Sequence, residues 1–153
     1  MRISSLHPDV QYKTLRAIHF AMLILLPPTY LLIAYMLGSD YYPPGSHNKF
    51  MLYVLLIIGA VEPGVAPMIG RLMITGAKKK HLEVSSVAGL FISINIVKLA
   101  LIEAIYIYGL VVFLLSGDLI KMLYFYPIGI IWTAIYWPRR DKFDRFLRQY
   151  ENE

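Results

Sequence analysis

Four apolar stretches, about Ala17–Leu37, Met51–Thr75, Val84–Leu115 and Leu119–Trp137, take up most of this chain of 153 residues. Each is long enough to cross a hydrocarbon core of about 30 Å as a helix, which takes roughly 20 apolar residues. Lipid offers no water to backbone N–H and C=O groups, so a segment lying in it must close its hydrogen bonds internally. The sequence therefore predicts an all-α, integral membrane bundle of four transmembrane helices. It forms a single membrane domain over residues 1–153, with a polar tail over 138–153. The connections are too short for a separate soluble domain. Composition agrees, since only 16% of residues are charged and these gather between the apolar runs instead of spreading as on a soluble surface.

Basic residues decide the expected orientation. Arg2, Lys13 and Arg16 precede the first run, Arg71, Lys78, Lys79 and Lys80 flank the second connection, and Arg139, Arg140, Lys142, Arg145 and Arg148 fill the tail. The first and third connections hold only Lys49 and Lys121. Both termini are expected in the cytoplasm, with the chain a multi-pass protein of the cell inner membrane. A net charge of +5 in this arrangement speaks for topology and anionic lipid, not nucleic acid. Absent cysteine excludes disulfides, thiolate catalysis and Cys-ligated metal. The first run lacks a small-residue cleavage pattern, so it is expected to stay as a helix.

Proline and glycine mark departures from smooth helix. Pro27 and Pro28 predict a kink in the first span. His19, the only histidine in a span, reads as an interfacial side chain. The outer connection Gly38–Lys49, with Asp40-Tyr41-Tyr42-Pro43-Pro44-Gly45, reads as a turn whose tyrosines suit the headgroup zone. In the second span, Gly59, Ala60, Gly64, Ala66 and Gly70 allow close helix approach. Pro63 leaves the Gly59 carbonyl without its donor, and Pro67 does the same to the carbonyl of Pro63. Such freed carbonyls at membrane depth need a partner. After Ser116-Gly117-Asp118 the fourth span returns to an aromatic and basic stop, Tyr136-Trp137-Pro138-Arg139-Arg140. Phe143, Phe146, Leu147 and Tyr150 then share one helical face, which predicts a C-terminal amphipathic helix.

The candidate site comprises the charges inside the apolar runs: Glu62, Lys98 and Glu103. A charge at the centre of a span costs at least about 2.5 kcal/mol. At 1.5 Å per residue, Glu62 and Glu103 both lie about 20 Å below the outer ends of their spans, with Lys98 about 7.5 Å nearer the tail side. Asn95 and Lys98 share a face, whereas Lys98 and Glu103 point about 140° apart. Glu62 and Lys98 are expected to form a structural ion pair, leaving Glu103 to titrate. In the alternative, a protonated Glu103 hydrogen-bonds to Tyr106 one turn along and carries nothing.

The segment from Glu103 to Leu115 resembles the carboxylate helix of rotary ATPase proteolipids, the ring-forming c subunits, in which an ion-carrying Glu is followed five residues later by Tyr-Gly-Leu. Here that triplet is Tyr108-Gly109-Leu110. Ile58-Gly59-Ala60 and the stretch from Gly70 to Ala77 are similar to that family's small-residue helix and basic loop. The resemblance covers residues 58–115; Glu62, Pro63, Pro67 and Lys98 have no place in its pattern. It implies that Glu103, with Tyr106 and Tyr108 beside it, binds a proton or sodium ion. Tyr126-Pro127 and Trp137-Pro138-Arg139-Arg140, with the Tyr-Gly-Leu helix, also resemble small bacterial four-helix membrane proteins, a likeness that implies the fold but no activity.

Two functions are expected to compete. One is a c-subunit-like ion carrier working as a homo-oligomer or with other membrane subunits. The other is a non-transporting accessory or assembly subunit in which the buried charges serve helix packing. No His-rich metal pattern, serine elbow, phosphate loop or dinucleotide fingerprint points to an enzyme, a metal or a cofactor.

Overall fold

In the computed structural model, residues 8–38, 49–78 and 84–151 are described, and within them every regular element is a helix. The elements are α1 (Pro8–Leu37), α2 (Lys49–Val61), a 3-10 turn (Glu62–Val65), α3 (Ala66–Lys78), α4 (Val84–Ser116), α5 (Leu119–Leu123), α6 (Phe125–Ile135) and α7 (Arg140–Glu151). Three helical stretches are long and apolar enough to cross a membrane: Asp9–Leu37, Lys49–Ala77 and Val87–Ser116. Leu119–Ile135 joins them only when taken together with Arg140–Gln149, from which it is bent by 51°. The expected tyrosine turn at 40–45 and the loop lysines Lys79 and Lys80 lie outside the described residues, as does Arg2.

Proline chemistry explains the breaks. α1 passes through Pro27 and Pro28 as one helix, and the second span stays in register through Pro63 by tightening into the 3-10 turn. The fourth run, expected as one span, is interrupted at Tyr124. Pro127 has no N–H for the Leu123 carbonyl four residues earlier, and its ring crowds that turn. Gly38 and Gly117, at φ 68° and 65°, end α1 and α4 in the left-handed conformation that glycine adopts without strain.

α4 is the centre of the bundle, the most buried of the long helices. On one side Leu52, Ile105, Val112 and Phe125 tie α2 to α4 and α6. On another, Ala34, Phe113 and Met122 join α1 to α4 and α5. Gly109 lets the α5–α6 junction approach, because a Cβ there would lie 3.1 Å from the Met122 carbonyl and 3.2 Å from Phe125 Cβ.

The tail is not the free surface helix that its pattern suggests. Phe143, 1% exposed, packs with Tyr12, Leu15, Ala88, Phe91 and Ile92, and Phe146 and Leu147 lean on the same cluster. The Tyr12 hydroxyl donates to the Pro138 carbonyl at 3.1 Å, and Arg140 pairs with Asp9. The apolar face is thus occupied by the first turns of α1 and α4, and both ends of the chain meet at one end of the bundle. Nothing is described of the Tyr150 side chain.

Candidate functional site

Both membrane carboxylates are held by tyrosine hydroxyls from another helix. The Tyr30 hydroxyl on α1 donates to Glu103 Oε1 on α4 at 3.0 Å. The Tyr108 hydroxyl on α4 donates to Glu62 Oε2 in the 3-10 turn at 2.6 Å. Hydrogen bonds from a hydroxyl to a carboxylate are about twice as strong as neutral ones, so each pair clamps two helices while partly replacing lost water. Gly59 packs beside this clamp, where a Cβ would stand at ordinary contact distance, 3.5 Å, from Tyr108 Cδ2.

This pairing revises the expected one. Glu62 and Lys98 do not pair; among the described residues Lys98 meets no carboxylate. Its Nζ lies over the Tyr136 ring, 5.4 Å from the centroid, a cation–π contact suited to a partly desolvated ammonium. Tyr108, expected beside Glu103, serves Glu62 instead because five residues along a helix rotate the side chain by about 140°. Tyr106 remains near Glu103, but its hydroxyl is not the partner of that carboxylate. Asn95 is buried at 2% exposure and donates to the Phe91 carbonyl of its own helix at 2.8 Å, a local bond without a ligand. His19, expected at the interface, is fully buried with Nδ1 3.2 Å from the Leu15 carbonyl and its ring edge-on to Trp137.

α7 carries Arg140, Asp141, Lys142 and Arg145 on its exposed side while covering Ala88, Phe91 and Ile92 of α4. From Lys98 to Ser116 the helix rises about 27 Å, nearly a full hydrocarbon thickness.

Aromatic side chains on α6 and just beyond it donate to backbone carbonyls near the prolines, of which the Pro63 carbonyl is the one that a proline, Pro67, deprives of its usual donor. The Tyr136 hydroxyl donates to the Pro63 carbonyl at 2.7 Å, beside the Ala66 N–H that also reaches it. Trp132 Nε1 donates to the Ala60 carbonyl at 3.1 Å, and the Trp132 and Tyr136 rings stack with centroids 5.3 Å apart. On the other side of α6, the Tyr126 hydroxyl donates to the Pro27 carbonyl at 2.8 Å. At the Pro63 carbonyl the donor that Pro67 withholds is thus replaced by protein.

Around Glu103 the arrangement is less complete. A cavity of about 10 Å³ is bordered by Glu103, Tyr106, Thr133, Leu99, Ile102 and Met22, about the smallest space that admits a water. Tyr106 is 2% exposed, and its hydroxyl faces the Thr133 hydroxyl without a well-aligned hydrogen bond among the described residues. Its ring is fixed edge-on against Tyr126 at 5.3 Å, and its end lies against Gly129. A hydroxyl so weakly engaged keeps hydrogen-bonding capacity, and it lies beside a carboxyl and a small cavity. Among the described residues no three His, Asp or Glu side chains converge as a metal site would need.

Sequence reasoning missed Tyr30, Tyr126, Trp132 and Tyr136. Each is an aromatic with a polar tip inside or at the end of an apolar run, a signal that reads equally well as an interfacial belt. No protein-family model, curated protein or solved structure matches the chain. The fold and the site stand on their own geometry: an all-helical protein with membrane-length apolar helices and two carboxylates held between them.

Proposed function

We propose that this is a four-span membrane protein with both termini in the cytoplasm, whose Glu103 carboxyl binds a proton or sodium ion within the bilayer, in an oligomer or larger membrane complex. The observation that carries this reading is the setting of Glu103. It is half-buried between α1, α4 and α6, held by one hydroxyl, and adjacent to a small cavity bordered by the Tyr106 and Thr133 hydroxyls. A carboxyl that is neutral in lipid and ionised when water or a cation reaches it is what a carrier of small cations needs. Tyr30 donates to the carboxyl, and Tyr106 offers a second donor or acceptor to whatever enters.

Carbodiimide labelling in native membranes tests the proposal, because the reagent modifies protonated carboxyls in apolar surroundings. Label is expected on Glu103, lost in Glu103→Gln and retained in Glu62→Gln. Protection by sodium at fixed pH would identify the ion as sodium, and protection by raised pH alone as the proton. Equal labelling of wild type and Glu103→Gln would overturn the reading.

The accessory-subunit reading also has an observation behind it. Both carboxylates are engaged across helix contacts, and Glu62 in particular has a short bond to Tyr108. On that reading, Tyr30→Phe and Glu103→Gln lower stability equally and non-additively, and neither changes any ion-dependent signal.

A further inference from the structure

The two basic residues that the sequence assigns to the end of the bundle away from the tail, Lys49 and Lys121, converge on one pocket. It lies between α2, α4 and α5 and encloses about 330 Å³, within the range of small-ligand sites. Its walls are Met51, Leu52, Val112 and Leu115, with Ser116 between the lysines. Met51 and Leu115 are 37% and 53% exposed, so the apolar side opens laterally, where the acyl chains of a bilayer lie. The cationic side is at the helix ends, at headgroup level.

The charges at the rim are not cancelled. Lys49 has no acidic partner among the described residues. Lys121 bridges Asp118 Oδ2 at 3.2 Å, but an ammonium has three donors, and that bridge holds it in place while leaving donors for a second anion. Asp118 itself is committed, since its other oxygen accepts from the Ile120 and Lys121 N–H groups. Among the described residues the rim therefore carries net positive charge over an apolar slot open to the side.

We propose that this pocket binds an anionic phospholipid of the leaflet opposite the tail, with the phosphate between Lys49 and Lys121 and one acyl chain along Met51, Leu52, Val112 and Leu115. The chemistry asks for both parts. A free anion would leave the slot empty, and a zwitterionic lipid would bring its own cation against the lysines. This site is separate from Glu103, and its standing does not depend on ion binding there.

The test is native mass spectrometry of the detergent-purified full chain with added phosphatidylglycerol, phosphatidylcholine, oleate or inorganic phosphate, alongside thermal stability. Phosphatidylglycerol is expected to bind and raise Tm in wild type, with phosphatidylcholine and phosphate without effect. Each of Lys49→Gln and Lys121→Gln is expected to weaken it about fivefold, from about 1 kcal/mol per lysine near an anionic headgroup. Met51→Trp, which fills the slot while keeping both charges, should weaken it as well. Lys49→Gln leaves the Asp118 bridge intact, so its lipid-free Tm serves as the folding control. Equal binding of phosphatidylcholine, undiminished binding by the double lysine variant, or equal stabilisation by oleate or phosphate would overturn the proposal, the last two by naming a free anion as the occupant.

Discussion

Gly129→Ala is the most exacting probe of the packing around the carboxyl site. An added Cβ would stand 2.5 Å from Tyr106 Cζ, 2.6 Å from its hydroxyl oxygen and 2.8 Å from Cε1, so the ring must move. It has little room: Tyr106 is 2% exposed and braced edge-on by Tyr126, which is itself tied to the Pro27 carbonyl. Overpacking of this kind costs about 1–3 kcal/mol, and the confinement of the ring puts this case in the upper half. Alanine recovers roughly 0.5–1 kcal/mol over glycine in a helix, leaving a net loss of about 1–2 kcal/mol. Gly76→Ala calibrates the recovered part, since no atom lies within 4 Å of its added Cβ. The assay is thermal unfolding in micelles followed through Trp132, one turn from Gly129 on α6. Tyr106→Leu removes the atoms that clash, so in that background Gly129→Ala should lose most of its cost, giving a coupling of about 1–2 kcal/mol. A Gly129→Ala effect no larger than that of Gly76→Ala, or one unchanged by Tyr106→Leu, would refute the argument.

Three further outcomes are expected. Phe143→Ala empties the centre of the cluster with Tyr12, Phe91 and Ile92, which should cost about 3–5 kcal/mol of docking and make the bonds around Arg145 and Arg148 sensitive to brief trypsin treatment in the intact protein. Lys98→Met should leave stability unchanged or raised, because no carboxylate is stranded when the ammonium goes; a drop in Tm beyond that of Lys98→Arg would show an ionic partner. Asp118 is pushed upward by partial burial, but the Lys121 ammonium and the N–H groups of Lys121 and Ile120 outweigh this and hold its pKa below the ordinary 3.8. Its contribution is therefore complete above pH about 4 and lost as pH falls through the lowered folded value, so the Tm difference between wild type and Asp118→Asn should shrink on acidification in that window and stay constant above it.

Much of the fold was legible because the cost of placing a segment in lipid is nearly additive along it. Apolar length alone marks Lys49–Ala77 and Val87–Ser116, and the position of Pro63 and Pro67 marks where the second span must change its bonding. The placement of Glu62, Lys98 and Glu103 inside apolar runs was equally legible, since it follows from residue type and position in the chain. Their partners were not. Glu62 and Lys98 lie at compatible depths on neighbouring helices, yet helix rotation turns Lys98 towards Tyr136 and gives Glu62 to Tyr108. Tyr30 is 73 residues from Glu103 in the chain, and nothing local connects them.

The sequence by itself determined an all-helical chain of membrane-length segments, the sites where proline breaks the backbone, and which charged groups fall inside apolar runs, because each depends on a residue and its near neighbours. Only the tertiary structure decided that tyrosines hold both carboxylates, that the tail packs against its own chain, and that Lys49 and Lys121 share a pocket. Those outcomes depend on the rotation of each helix about its axis and on which helices become neighbours, and both are set by contacts summed over the whole bundle.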